Sequence, residues 1–318
     1  MVESFFPISL TSLRIDSVPS FDLHLFQVAS GKYVLYREKD IPFTEKVLTN
    51  LIDNRHTQLH VPRDQRDNYF DYSSRLVAAV IRDESIPISE KSEVVYNTTA
   101  SIMEDLFITP RSSTRIRQAK DTMDNIVDYL AHDEEAARSM LFLTNHDYYT
   151  YTHSVNVAIF STALAQRVFG NDHPDHDLKI MGEGFLLHDI GKSRIPAAII
   201  NKPGKLTTEE WALMKRHPED GHRILIDTHQ SAAVIDQIVL HHHERPDGTG
   251  YPFGLRLEEI HPYARVCCIA DVFDAITTVR SYRDPLGTFD ALRVMRDDMG
   301  DHFDWDFFNE FVLLFADK

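Results

Sequence analysis

Residues 21–28 (FDLHLFQV) place apolar side chains at alternate positions, the two-residue period of a half-buried strand. Ser30-Gly31 supplies a turn, and residues 33–36 (YVLY) read as the returning arm of a hairpin. The period then changes. Residues 45–52 carry the spacing of an amphipathic helix, 57–61 (TQLHV) form a short strand before Pro62, and 66–81 read as a second helix. These segments predict a small α+β module whose aromatics form its own core, with no cluster of potential ligands. Pro87 and its polar neighbours across 83–90 (DESIPISE) break the pattern. A domain boundary is expected there, dividing the chain into 1–85 and 86–318. Beyond it the spacing is helical almost throughout. Residues 92–107 and 114–131 form two long amphipathic stretches, and from Tyr149 onward Gly and Pro separate shorter helical runs. The expected fold is mainly α, a C-terminal helical bundle preceded by the small α+β domain.

A length of 318 residues suits two domains. The chain carries 33 Lys and Arg against 49 Asp and Glu, a net charge of −16. Such a chain repels a nucleic-acid backbone, so polymer binding is not expected. A small anionic substrate would need local cations, and bound metals can be the largest local charges in a site. No apolar run of about 18 residues occurs, so no membrane span is expected. The N-terminal residues lack the basic start and apolar core of a secretory leader. The two cysteines, Cys267 and Cys268, are adjacent and cannot staple distant segments. A reduced, cytoplasmic protein is the resulting expectation.

The chemistry is concentrated in the histidines. Of the 17 in the chain, most lie between His132 and His261. Some fit a histidine-tolerant helical surface, and a lone histidine on an apolar helix is most often a satisfied core residue. Others have a more specific setting. His188-Asp189 follows Phe185-Leu186-Leu187, and Gly191 stands where a helix C-terminal glycine belongs. His153 lies in the apolar run 151–165. His217 precedes Pro218 at the end of the helix opened by the capping-box pattern Thr207-x-x-Glu210. His241 to Glu244 close the helix 232–240, and Asp271 is embedded in 266–276 (VCCIADVFDAI). Five helices thus each present a polar group whose burial is costly unless something satisfies it. This mixture of imidazole and carboxylate suits divalent Fe, Mn or Zn better than Ca or Mg, and two metals sharing Asp189 would use the whole set.

The motifs together resemble the HD-GYP phosphodiesterases over roughly residues 120–318. They are His188-Asp189-Ile190-Gly191-Lys192, Lys202-Pro203-Gly204-Lys205-Leu206-Thr207, Arg216-His217-Pro218 and His242-His243-Glu244-x-x-Asp247-Gly248-x-Gly250-Tyr251-Pro252, followed by Asp271 to Ile276 and Arg280-Ser281-Tyr282-Arg283. The resemblance implies a helical bundle with a buried metal centre that hydrolyses cyclic di-GMP to pGpG or GMP. It implies His153, His188, Asp189, His217, His242 and Asp271 as metal ligands, with His243 a weaker candidate. It places Lys192, Arg280 and Arg283 at the substrate phosphates, and Tyr251 in a loop lining the substrate site. That loop, Gly250-Tyr251-Pro252, is also implied as a contact for diguanylate cyclase (GGDEF) domains.

Two departures matter. The three-metal branch of the family carries a glutamate one helical turn before the first ligand histidine, where this chain has Tyr149. A phenol with a pKa near 10 replaces a carboxylate poorly. Two metals are therefore expected, Fe ahead of Mn, and no third. Pro246 replaces an aromatic residue ahead of Asp247-Gly248. In the expected mechanism Asp189 bridges two metals that activate a water, and Lys192 neutralises a phosphate oxygen or protonates the leaving group. Arg280 and Arg283 hold phosphates, or else pair with Asp284 at the surface. Two other readings remain: a metal-containing cyclic-dinucleotide receptor without turnover, and a di-iron oxygenase of the wider HD superfamily. The module 1–85 is expected to regulate, to mediate homodimerisation or to bind a partner.

Overall fold

In the first 82 residues, apolar alternation yields a four-stranded antiparallel sheet with two helices, the second packed on it and the first lying between two of its strands in sequence. Strands β1 (Phe5–Ser9), β2 (Leu23–Gln27) and β3 (Lys32–Arg37) are followed by α1 (Glu45–Asp53), β4 (Gln58–Pro62) and α2 (Arg66–Arg82). The spatial order is β1-β4-β2-β3. Leu59 and Val61 of β4 turn inward with Phe21, Leu23, Phe43 and Leu51, and Tyr69, Phe70 and Val77 of α2 complete this core. The structure is a computed structural model, and it describes residues 4–143, 150–170, 176–278 and 285–316.

The chain divides into two compact units, Met1–Thr98 and Thr99–Lys318. The division falls within helix α3 (Ile88–Ile108). The second unit is mainly helical. It continues with α4 (Ser113–His132), α5 (Glu134–Leu143), α6 (Thr150–Phe169), α7 (Leu178–Leu187) and α8 (Ala197–Ile200). Then come α9 (Thr208–Met214), α10 (His217–Asp227), α11 (Ala233–His241), α12 (Pro262–Thr277), α13 (Thr288–Asp298) and α14 (Trp305–Leu313). Helix α7 is the centre of the unit and packs on α4, α6 and α11, while α12 packs on α6 and α11. Phe185, Leu186 and Leu187 at the end of α7 are fully buried. Apart from Lys179 and Glu183, which pair with Asp128 and Lys120 of α4, the helix is apolar, as suits the middle of a core. Among the described residues, no helix is long and apolar enough to cross a membrane.

Two local expectations change. The Thr207 capping box forms, but the helix it opens ends at Met214, and His217 begins the next helix with Pro218 in its first turn. Proline suits that position because its missing N–H would have no helical partner there. Gly191 is not a left-handed helix cap. It lies in a 3-10 turn (Ile190–Arg194) that packs on α10. A Cβ at Gly191 would sit 1.9 Å from the His217 carbonyl oxygen and 2.5 Å from the Gly221 nitrogen. Close backbone approach, not backbone conformation, requires this glycine.

Candidate metal centre

Three helix C-termini aim imidazoles at one point. The last carbonyls of a helix lack intrahelical donors, and here histidine side chains supply them. His188 Nδ1 donates to Phe185 O at the end of α7 (2.7 Å). His217 Nδ1 donates to Met214 O at the end of α9 (2.8 Å), and His242 Nδ1 to Val239 O in α11 (3.0 Å). A carbonyl only accepts, so each Nδ1 carries the proton and each Nε2 presents a lone pair. His153 is held differently, from within α6. Its Nδ1 lies 2.6 Å from Asp274 Oδ2 on α12, and Asn156 Nδ2 donates to the other oxygen of Asp274 (2.7 Å).

Asp189 stands where these rings converge. Its Oδ1 is 3.2 Å from His217 Nε2 and 3.8 Å from His242 Nε2. Its Oδ2 is 3.4 Å from both His153 Nε2 and His188 Nε2. Lys192, one turn on, pairs with Oδ2. Asp271 Oδ1 is 3.0 Å from His153 Nε2, and Asp271 Oδ2 is 3.5 Å from His243 Nδ1. Two groups result: Asp189, His217, His242 and His243 in one, and His153, His188 and Asp271 in the other, with the potential ligand atoms of each group within 4.8 Å of one another.

The donor set fits a metal on three grounds. His217 Nε2 and His242 Nε2 lie 3.1 Å apart. With both Nδ1 atoms donating, this is a pair of facing lone pairs, not a hydrogen bond. His188 Nε2 and Asp189 Oδ1 are buried and make no hydrogen bond among the described residues. Buried acceptors without donors are costly, and a cation satisfies them together. The negative C-terminal dipole ends of α7 and α11, at His188 and His242, favour the same charge.

Protonation agrees. Burial lowers the pKa of His188 and pulls His217 down to about 3, with His242 and Lys192 adding repulsion at His217. Burial and the neighbouring His242 hold His243 well below the ordinary imidazole value. Burial pushes Asp189 up, but Lys192 and His188 outweigh it and hold the carboxyl well below its ordinary value. At Asp271 burial is likewise outweighed, by the adjacent rings of His153 and His243. Near neutral pH these imidazoles are neutral and both carboxylates ionised, the states that bind metal. The clustered His and Asp residues suggest one or two metal-binding sites.

The loop after α11 folds back over the cluster. Glu244 is buried and accepts from the backbone N–H groups of Phe253 (2.6 Å) and Leu255 (2.9 Å). Gly248 has a positive φ of 79°, as its turn requires, whereas Gly250 does not. Instead a Cβ at Gly250 would sit 2.5 Å from Arg245 N and Glu244 Cα. The tightened loop lays the Tyr251 ring on His243, with centroids 4.7 Å apart and planes inclined by 27°. Burial, with Asp271 and Asp189 nearby, raises the Tyr251 phenol well above its ordinary pKa.

The sequence over residues 139–307 matches the HD domain. The chain belongs to the HD domain family. It is related to the HD-GYP and cyclic-dinucleotide phosphodiesterases. Over 194 residues it is 44% identical to a cyclic di-GMP phosphodiesterase of Pseudomonas aeruginosa, covering 61% of this chain and 46% of that protein. Over 137 residues it is 40% identical to a 3′3′-cGAMP-specific phosphodiesterase of Vibrio cholerae, covering 43% of this chain and 26% of that protein. The chain thus matches less than half the length of either relative. A protein of Bdellovibrio bacteriovorus described as HDG"Y"P shares the fold, with a TM-score of 0.70 at 21% identity over 96% of this chain and 98% of that one.

The seven expected ligand positions, His243 included, lie together in the structure, with Lys192 and Tyr251 beside them. Tyr149, Arg280 and Arg283 lie outside the described residues. Sequence reasoning gave no role to Asp274 or Glu244. Each carried the same signal as Asp271, a carboxylate set among apolar or loop-closing residues, but neither partner could be read from spacing. Asp274 reaches His153 across 121 positions. Two other histidines have partners of their own: His261 caps α12 by accepting from Tyr263 N, and His222 lies 3.7 Å from Asp236.

Proposed function

We propose that this chain is a metal-dependent phosphodiesterase that hydrolyses cyclic di-GMP to pGpG, GMP or both. The facing Nε2 lone pairs of His217 and His242 beside the unbonded Oδ1 of Asp189 carry the reading. His153, His188 and Asp271 would hold one ion, and His217 and His242, with His243 adjoining, the other. Asp189 would bridge them, because its two oxygens face different groups. Fe is preferred and Mn is the alternative. When bound, such ions supply a more acidic water and positive charge for the phosphoryl oxygens.

The chain's own residues do the rest. Lys192, on the rim beside Asp189, neutralises a non-bridging phosphate oxygen or delivers a proton to the departing 3′ oxygen. The carbonyl-anchored imidazoles keep their lone pairs fixed on the centre, so little reorganisation accompanies binding. Arg280 and Arg283 grip the phosphates through paired hydrogen bonds. The Tyr251 loop covers His243 and narrows access for water. The N-terminal module regulates this activity.

Asp189→Asn tests the reading. An amide is a poor bridge, so this variant should lose metal and fall at least about a hundredfold in turnover, with pGpG and GMP followed by chromatography. Cyclic GMP-AMP is assayed in parallel, given the Vibrio relative. Full metal content and full turnover in the variant would overturn the bridging role.

A further inference from the structure

Among the described residues, the cluster is exposed unevenly. The side chains of His153, His188, Asp189, His217 and His242 are completely buried, whereas Asp271 is 9% exposed, Lys192 13% and His243 21%. A substrate therefore reaches the centre past His243 and Lys192. His243 is the ring that Tyr251 covers, and beyond Tyr251 lies Trp211 of α9. The Trp211 ring meets Tyr251 edge to face, with centroids 5.9 Å apart and planes at 78°. Three aromatic rings thus run outward from the cluster to solvent.

Trp211 is 45% exposed. Its backbone is held firmly. Thr207 and Glu210 close the capping box of α9, and Lys202 reaches across to pair with Glu210. A large, rigid, half-exposed ring on a fixed helix at the mouth of an anion-binding centre has the form of a base-stacking platform. Every nucleobase has a π-face, and purines offer the larger one.

We infer that Trp211 is a specificity-determining residue that stacks on a purine base of the substrate while the scissile phosphate occupies the cluster. This rests on the phosphodiesterase reading. Tyr251, edge-on to Trp211 and stacked on His243, fixes the separation between base and phosphate. The substrate class is accordingly a cyclic dinucleotide carrying at least one purine. Small phosphodiesters without a base would be handled poorly, and loss of the ring would weaken binding without disturbing the ligands.

Trp211→Ala and Trp211→Phe separate this role from a structural one. With metal content equal to wild type, Trp211→Ala should raise KM for cyclic di-GMP about tenfold or more and leave kcat within about threefold. Trp211→Phe should restore most of the loss. The chain has two tryptophans, so Trp305→Phe leaves Trp211 as the reporter. Rapid mixing of that variant with cyclic di-GMP should quench its fluorescence before turnover. If wild-type protein hydrolyses the dinucleotide but Trp211→Ala keeps its KM, or the fluorescence does not respond, the stacking role is overturned while the phosphodiesterase reading stands. If metal-loaded wild type hydrolyses no cyclic dinucleotide, that reading fails and this inference with it.

Discussion

Asp189 illustrates how much one side chain can settle. Fully buried, it would ordinarily be driven toward protonation, yet the Lys192 ammonium beside it keeps it ionised. Asp124 of α4 is the opposite case. Burial, with Glu183 and other acids nearby, raises its pKa to about 6, and its Oδ1 has no hydrogen bond among the described residues. In the folded state Asp124 binds a proton that the unfolded chain releases near 3.8. Its contribution to stability therefore falls as pH rises through the window from about 4 to 6, and the cost persists above it. The residue is half-buried, so solvent screening reduces this cost to about 1 kcal/mol. Asp124→Asn should raise Tm by about 2–4 °C at pH 7.5 and by nothing measurable at pH 4. An equal gain at both pH values, read by thermal melts, would exclude the charge as the cause.

At the scale of elements, the centre depends on how closely the 3-10 turn after α7 approaches α10. Gly191 sets that approach, because any Cβ there meets the His217 backbone. Gly191→Ala should push Asp189 away from His217, cost about 1–3 kcal/mol, and lower metal content along with Tm. Unchanged metal content would show that the turn adjusts without disturbing the ligands. This contact also marks what the sequence could and could not reveal. The strongly periodic elements α1, α2, α4 and β4 are legible within a residue or two. Strand β1 is not, because Pro7 interrupts its five residues and proline argues against a strand. Among the described residues it is an edge strand paired with β4, where proline is tolerated. The ligand types were legible because histidine and aspartate are costly in apolar helices. Their anchors were not. A histidine bonded to the carbonyl three residues back looks, in sequence, like any other histidine at a helix end.

For the whole molecule, the proposed metal centre would also answer the charge problem, since a chain with a net charge of −16 would have to bind an anionic substrate. On the proposed reading, a pair of divalent ions in the cluster, with Lys192 at its edge, would reverse the local potential where the phosphates arrive. The decisive measurement is stepwise loading of metal-free protein with Fe(II) under anaerobic conditions. Bound metal per chain and conversion of cyclic di-GMP are read on the same samples. A two-metal phosphodiesterase predicts that pGpG or GMP appears as occupancy approaches two, vanishes on chelation and is absent from Asp189→Asn. Protein carrying two ions per chain that leaves cyclic di-GMP intact would contradict it.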